Sequence, residues 1–174
     1  MQIPNPRFVR ASVALPLRSL LIGALIVGLG APLTPLAAQA AGEDVAAAAF
    51  ERRDFAEAAA LWEERANQGD MEATSQLGNL YRLGLGVRRD PERARNLLRL
   101  AADAGVSEAQ ISLGLMHVKG EGLPVDAAEG ARWIRRAADQ GDAAGQYNLA
   151  LLHENGLGVP RDLGQARRWL QSAA

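Results

Sequence analysis

Apolar residues recur three and four positions apart along most of the chain after about residue 44. This spacing is that of one face of an α-helix, and no stretch alternates apolar and polar residues as a half-buried strand would. Alanine is also abundant, and it favours helix. The pattern therefore predicts an all-α protein. Two neighbouring segments show it well, with stripe positions Ala109, Leu113, Met116 and His117, then Gly130, Trp133, Ile134, Ala137 and Ala138.

The helical pattern repeats with a period of 36 residues. One aspartate position recurs over four copies, and two glycine positions recur over three. A period between 20 and 50 residues is typical of stacked arrays of one supersecondary unit, and such arrays mostly bind other proteins. The recurring positions are Asp54, Asp90, Asp126 and Asp162, then Gly84, Gly120 and Gly156, and Gly86, Gly122 and Gly158.

Each period has the signals of a helix hairpin. In the copy at 107–141, Ser107 can cap the first helix and Gly120 can end it. Asp126 can cap the second helix, and Glu129 three residues later resembles a capping box. Asp90 is followed by Pro91, which suits the first helical position. We therefore predict a helical cap at 41–70 and repeats at 71–106, 107–141 and 142–174.

The N-terminal segment differs from the repeats. Three arginines precede an uncharged run at residues 19–42, which includes the triplet Ala38-Gln39-Ala40. A basic, then apolar, then small-residue order predicts a signal peptide at 1–40, cleaved after Ala40, and a periplasmic product. The alternative is an uncleaved membrane anchor, since the run is long enough to span a bilayer. Pro32 and Pro35 would interrupt a membrane-spanning helix in this run, which favours the cleaved signal peptide over the anchor.

Charge and cysteine content narrow the function further. Loss of residues 1–40 would leave 16 basic and 20 acidic residues, a net charge of −4. A mildly acidic domain argues against nucleic acid or an anionic membrane surface as partner. The chain has no cysteine, so the domain must be stabilised by packing alone.

The repeats resemble the Sel1-like repeat, a relative of the tetratricopeptide repeat. The similarity covers residues 71–174 and, more loosely, 44–70. It rests on the run from Ser107 to Met116, on Gly120-x-Gly122 and on Ala137-Ala138-Asp139-Gln140-Gly141. It implies a right-handed α-solenoid that acts as an adaptor or scaffold for protein complexes, often in bacterial envelopes. A secreted, disulfide-rich branch is linked to β-lactams, but the absence of cysteine argues against that activity here.

Two histidines and the glycine turns are the other candidates for chemistry. His117 and His153 could form a metal pair or supply a general base. They occupy the position of Tyr81 in the first repeat, which favours a packing role. Gly84-Leu85-Gly86 lacks the strand and the Lys-Ser/Thr ending of a phosphate-binding loop. We therefore expect no catalytic residue, no cofactor and no metal.

The first helices of the hairpins carry the predicted binding surface. In helix-pair solenoids these helices line the concave side, which recruits ligands. Positions five, nine and twelve of each 36-residue unit, counted from Met71, share one helical face. At these positions the central unit is wholly apolar and the two outer units have both polar and apolar residues, which is the pattern of an apolar centre with a polar rim. The alternative is that these residues pack against adjacent helices. The predicted partner-binding residues are Ser75, Asn79 and Arg82, then Ile111, Leu115 and Val118, then Tyr147, Leu151 and Glu154.

The preferred interpretation is a non-enzymatic envelope adaptor that binds a protein or peptide. A cell-wall or β-lactam hydrolase, and a binding module of an envelope polysaccharide system, are the alternatives. The final hairpin ends in an apolar helix around Trp169 and Leu170, where terminal repeats usually have a polar outer face. We therefore also expect that this hairpin can dock on a partner or on another copy.

Overall fold

The computed structural model describes residues 45–174, and within that range every regular element is a helix. The predicted signal segment 1–40 and the first residues of the predicted cap lie outside the described residues. The helices are α1 (45–51), α2 (Phe55–Asn67), α3 (Met71–Leu83), α4 (Pro91–Asp103), α5 (Ser107–Lys119), α6 (Ala127–Asp139), α7 (Ala143–Asn155) and α8 (Leu163–Ser172).

Aspartate side chains cap most of these helices. Each accepts a hydrogen bond from the backbone N–H three residues on, which satisfies a donor that the first turn leaves free. The caps of α2, α3, α4, α6, α7 and α8 are Asp54, Asp70, Asp90, Asp126, Asp142 and Asp162.

Among helices α2 to α8 the exception is α5, where the predicted cap Ser107 is wrong. Val106 takes the N-cap position without a side-chain bond, and Ser107 is already helical. The physical reason lies in the repeat. Val106 stands 36 residues from Asp70 and from Asp142, so in this repeat the cap position is occupied by a side chain that cannot accept a hydrogen bond.

Glycine ends the first helix of each repeat, as the sequence predicts. Gly84, Gly120 and Gly156 are the C-caps of α3, α5 and α7, with φ of 70°, 70° and 67°. This left-handed conformation suits a residue without Cβ. The following loop closes on the helix through a backbone bond; in the first repeat Asp90 N–H donates to the Tyr81 carbonyl at 2.9 Å.

The hairpins stack into two layers. From α2 to α8, each helix packs against its neighbours in sequence. The backbone of α5 also approaches those of α3 and α7 closely, whereas the backbone of α4 does not approach those of α2 or α6 as closely. Successive helices approach more closely on the inside of a curved stack. We therefore call α3, α5 and α7 the inner helices and α2, α4, α6 and α8 the outer helices. This is the helical solenoid that the period predicts.

The apolar core forms two clusters along the stack. The first runs from Ala46 to Trp133 and includes the fully buried Leu77, Leu98 and Met116. The second lies between α6, α7 and α8 and contains Ala131, Ile134, Ala138, Leu149 and Leu152. Within residues 45–174, no helix has the length and apolar character needed to cross a membrane.

Candidate protein-binding surface

The nine predicted partner-binding residues all lie on the inner helices, but with unequal exposure. Ser75 is fully buried, and Ile111 is 9% exposed. These two residues lie beneath the surface and have almost no accessible area for a partner to contact. Asn79, Arg82, Leu115, Val118, Tyr147 and Leu151 are half-buried, and Glu154 is exposed.

A polar network joins α3 to α5 across this surface. The Glu108 carboxylate accepts from Gln76 Nε2 at 2.8 Å and from Asn79 Nδ2 at 3.0 Å. Ser112 Oγ donates to Asn79 Oδ1 at 2.8 Å. Both polar ends of Asn79 are therefore used within the protein. The network fixes the spacing of two inner helices and so the shape of the surface they share.

Arg82 extends this network toward the loop after α5. Its Nε donates to Asn79 Oδ1 at 3.4 Å, and one terminal nitrogen lies 3.4 Å from Glu121 Oε2. Lys119 Nζ is 3.7 Å from the other Glu121 oxygen. The side chains of Arg82 and Glu121 are 15% and 23% exposed. Partial burial makes this pair less screened by solvent than an ordinary surface pair.

Glu108 is a carboxylate without a cationic partner in this network. Burial raises the pKa of Glu108, and the nearby Glu72 and Asp142 raise it further. The hydrogen bonds from Gln76 and Asn79 act in the opposite direction. The inner surface therefore holds a desolvated acid that amide donors stabilise without neutralising.

The apolar members of the predicted site divide between core and surface. Leu115 and Val118 pack against the second core cluster. Val118 lies over α6, where a Cβ on Gly130 would come within 2.6 Å of Val118 Cγ2. Tyr147 and Leu151 are half-buried on α7, and Glu154 follows on the same helix. The surface thus has apolar groups on α5 and α7 beside a polar network on α3 and α5.

Sequence reasoning missed four members of this surface. Gln76, Glu108, Ser112 and Glu121 all bond across the inner helices, yet none belongs to the predicted positions. Gln76, Glu108 and Ser112 lie beside those positions on the helix. The copies differ there, since Gln76 and Ser112 correspond to Asn148. A wider stripe on the same helices would have included Gln76, Glu108 and Ser112 but not Glu121, which follows the end of α5.

The two histidines take different roles although they share a repeat position. His153 is 6% exposed, and its Nε2 lies 3.3 Å from an Arg135 nitrogen. Because a guanidinium only donates, Nε2 accepts and the Nδ1–H faces the Pro160 carbonyl at 3.3 Å. His117 is half-buried, and its Nδ1 has no hydrogen-bond partner. Among residues 45–174 no group of histidines and acids could hold a metal ion.

The repeat pattern matches the Sel1 repeat family model at residues 72–106, 107–142 and 143–174. The chain belongs to the Sel1 repeat family. The predicted family and fold are therefore confirmed. Sel1 repeats generally form scaffolds for protein–protein interaction and are typically non-catalytic.

Two solved structures resemble the chain. A Sel1 repeat protein from Oxalobacter formigenes is 27% identical, with a TM-score of 0.68, over 76% of this chain and 53% of that protein. The second is c5321, a protective antigen of uropathogenic Escherichia coli strains with an SLR fold. It is 33% identical, with a TM-score of 0.65, over 80% of this chain and 32% of that protein. The chain thus spans about half of the first and a third of the second. No curated protein matches it in sequence.

Proposed function

We propose that this Sel1 repeat chain is a non-catalytic adaptor of the cell envelope, exported to the periplasm, that binds a protein or peptide through its inner helices. The observation that supports it most is the surface around Leu115, Tyr147 and Leu151. These apolar side chains are partly accessible beside a polar network that is already hydrogen-bonded. An apolar centre with a polar rim is the usual anatomy of a protein interface.

The rigidity of this surface favours binding. Asn79, Glu108 and Ser112 hold α3 and α5 in register before any partner arrives. Preorganised side chains lose little conformational entropy on association. Tyr147 is the aromatic residue of this surface, and tyrosine is enriched among the residues that dominate interface energies.

A photo-crosslinking amino acid at Leu151 tests the surface. The full chain carrying this residue is expressed in its native envelope, irradiated and subjected to mass spectrometry. We expect one protein to be recovered from position 151 and not from Leu100, which is 54% exposed on outer helix α4. Equal recovery from both positions would contradict the proposal.

A double substitution then tests whether the inner surface contributes to the affinity for the partner. Leu115→Arg with Arg82→Glu places a charge in the apolar patch and reverses the charge beside Glu121. We expect loss of partner capture with unchanged helical content by circular dichroism. Leu100→Arg with Arg167→Glu makes the same two changes on exposed positions of the outer helices and serves as the control. Capture that persists in the first variant would exclude this surface.

The C-terminal hairpin supports a second contact. On α8, Leu163 and Leu170 are 58% and 41% exposed. We propose that this helix docks on a partner or on a second copy. Sedimentation of the full chain should then show association that Leu170→Lys weakens; a monomer over a wide concentration range would exclude the second copy.

A further inference from the structure

A cleft of about 460 Å³ opens between α4 and the end of α5, away from the inner surface. Its α5 members, Leu113 and His117, are each two residues from Leu115, and two residues rotate a helix by about 200°. The cleft therefore opens on the side of α5 that faces away from Leu115. The volume falls within the range of roughly 300–1,000 Å³ that ligand sites occupy.

The cleft carries cationic groups that the described residues leave incompletely neutralised. Arg95 and Arg99 of α4 line it, together with Asp126. No hydrogen bond or ion pair joins Arg95 to another residue of 45–174. Arg99 donates to Asp103 at 2.9 Å in an exposed pair. Asp126 is already engaged, because its Oδ1 accepts the Glu129 N–H at 2.9 Å as the cap of α6.

His117 adds an unsatisfied polar atom to the cleft. Its Nδ1 is buried and has no partner among the described residues, which is an unfavourable state for a polar atom. Burial lowers the pKa of His117, and Arg99 and Arg95 lower it further, while Glu129 and Asp126 act in the opposite direction. The neutral ring can donate or accept one hydrogen bond beside the two guanidinium groups.

The corresponding junctions in the stack lack this combination. One period earlier, Arg95, Arg99 and His117 are replaced by Ala59, Glu63 and Tyr81, and Glu63 is paired with Arg93 at 2.6 Å. One period later the replacements are Ala131, Arg135 and His153, and Arg135 satisfies the imidazole directly. Of the three junctions, the one between α4 and α5 alone has an arginine and an imidazole nitrogen both without partners.

The walls of the cleft add an apolar element. Leu123 and Pro124, in the loop after α5, line it together with the arginines. A guanidinium pairs with a carboxylate through two parallel hydrogen bonds, whereas the apolar wall suits a hydrocarbon side chain. The C-terminal residue of a peptide carries both groups on one Cα atom. An acidic side chain would bring the anion without the apolar group.

We propose that this cleft binds the C-terminal carboxylate of a partner peptide whose last residue is apolar. Arg95 and Arg99 hold the carboxylate, the imidazole of His117 bonds to the peptide backbone, and Leu123 and Pro124 contact the last side chain. This site is separate from the inner surface, so one adaptor could hold two segments at once.

The test titrates the full chain with acetyl-Gly-Gly-Leu as the free acid and follows the His117 ring signals by NMR. Three comparison ligands are its carboxamide, acetyl-Gly-Glu-Gly carboxamide and inorganic phosphate. We expect the free acid to bind most tightly, at millimolar concentration or below, and Arg95→Gln to weaken it about tenfold or more, since a charged hydrogen bond is lost. Arg167→Gln, at the same repeat position on α8, removes the same charge and should leave affinity unchanged.

Several results would overturn the proposal. Equal binding of the carboxamide would remove the role of the carboxylate. Tighter binding of the glutamate peptide or of phosphate would reassign the ligand. Unaltered affinity in Arg95→Gln, with helical content intact by circular dichroism, would exclude the cleft. Leu151→Arg alters only the inner surface and should leave the affinity of the cleft for the peptide unchanged. The two sites are therefore tested separately, and absence of peptide binding in the cleft would not count against the proposed function of the inner surface.

Discussion

Glu108 shows how a single residue connects the fold to the proposed binding surface. Its carboxylate bridges Gln76 and Asn79 on the neighbouring inner helix. Burial favours the neutral acid, whereas the two amide donors favour the carboxylate. Desolvation is the larger effect, and the pKa of Glu108 is raised. This residue therefore orients the surface at the expense of some stability near neutral pH.

The raised pKa of Glu108 predicts how stability depends on pH. A carboxyl whose folded-state pKa is raised binds its proton more tightly when folded, so its contribution to stability is present at low pH and is lost as pH rises through the folded-state pKa. Glu108→Gln removes this dependence because glutamine does not titrate, and a flipped Gln76 amide can still form a hydrogen bond with it. Urea unfolding at several pH values should show that the variant gains stability relative to the parent from pH 4 to pH 7.

Glu64→Gln, at an exposed position of α2, removes the same charge and provides the control. An unchanged difference between Glu108→Gln and the parent across this pH range would contradict the prediction. If Glu108→Gln is less stable than the parent by the same amount at pH 4 and at pH 7, the hydrogen bonds to Glu108 matter more than its desolvation.

For single residues, the sequence predicts helix N-caps better than it predicts side-chain contacts between helices. The recurring aspartates identify most N-caps, because the cap bond is local and needs only a side chain and the next turn. Ser107 misleads because serine is a good cap residue that here stands one position too late, after Val106. The Glu108 bonds are not predictable in this way, because their partners lie about 30 residues away on another helix.

The second glycine of each loop positions one hairpin on the preceding one. A Cβ at Gly158 would come within 1.9 Å of the Ala127 carbonyl oxygen, and one at Gly86 within 2.2 Å of the Phe55 carbonyl oxygen. Both contacts are with the backbone at the start of the preceding outer helix. The first glycine ends a helix, whereas the second allows two repeats to stack closely.

This division of roles predicts unequal effects of alanine. Gly156→Ala introduces left-handed strain of about 1–2 kcal/mol, and the nearest atom to the added Cβ is the Arg161 Cβ at 3.2 Å, a tight contact but no backbone clash. Gly158→Ala adds the backbone clash and should destabilise by about 1–3 kcal/mol more. Thermal or urea unfolding of the two variants measures the difference. Equal destabilisation would show that the stack can yield at this contact.

The elements themselves follow closely from the sequence, because glycine and aspartate punctuate every period. The direction of the binding face does not follow, since it depends on how the inner helices pack. The predicted stripe includes Val118, which the structure turns toward Gly130 of α6, and omits Gln76 and Glu108, which face the neighbouring inner helix. Helical spacing gives angles around one helix, not the angle between two.

The whole molecule is a stack whose two core clusters differ in extent. The first cluster joins α1 to α6 through residues such as Leu98, whereas the second depends on Ile134, Leu149 and Leu152. On α8, Ala166 is the buried residue, and Trp169 is half-buried. In a stack each repeat is stabilised only by its neighbours, so local stability should follow local burial.

Substitutions in each cluster test this inequality by native-state hydrogen exchange. Ile134→Ala removes a fully buried side chain and should destabilise its surroundings by about 2–5 kcal/mol. We expect faster exchange in α7 and α8 with little change in α2 and α3, because the contacts it loses are those of the second cluster. Leu98→Ala, equally buried in the first cluster, should instead accelerate exchange in α3 and α4. Uniform acceleration over residues 45–174 in both variants would mean that the stack unfolds as one unit, and α7 and α8 could then not rearrange on binding independently of α3 and α5.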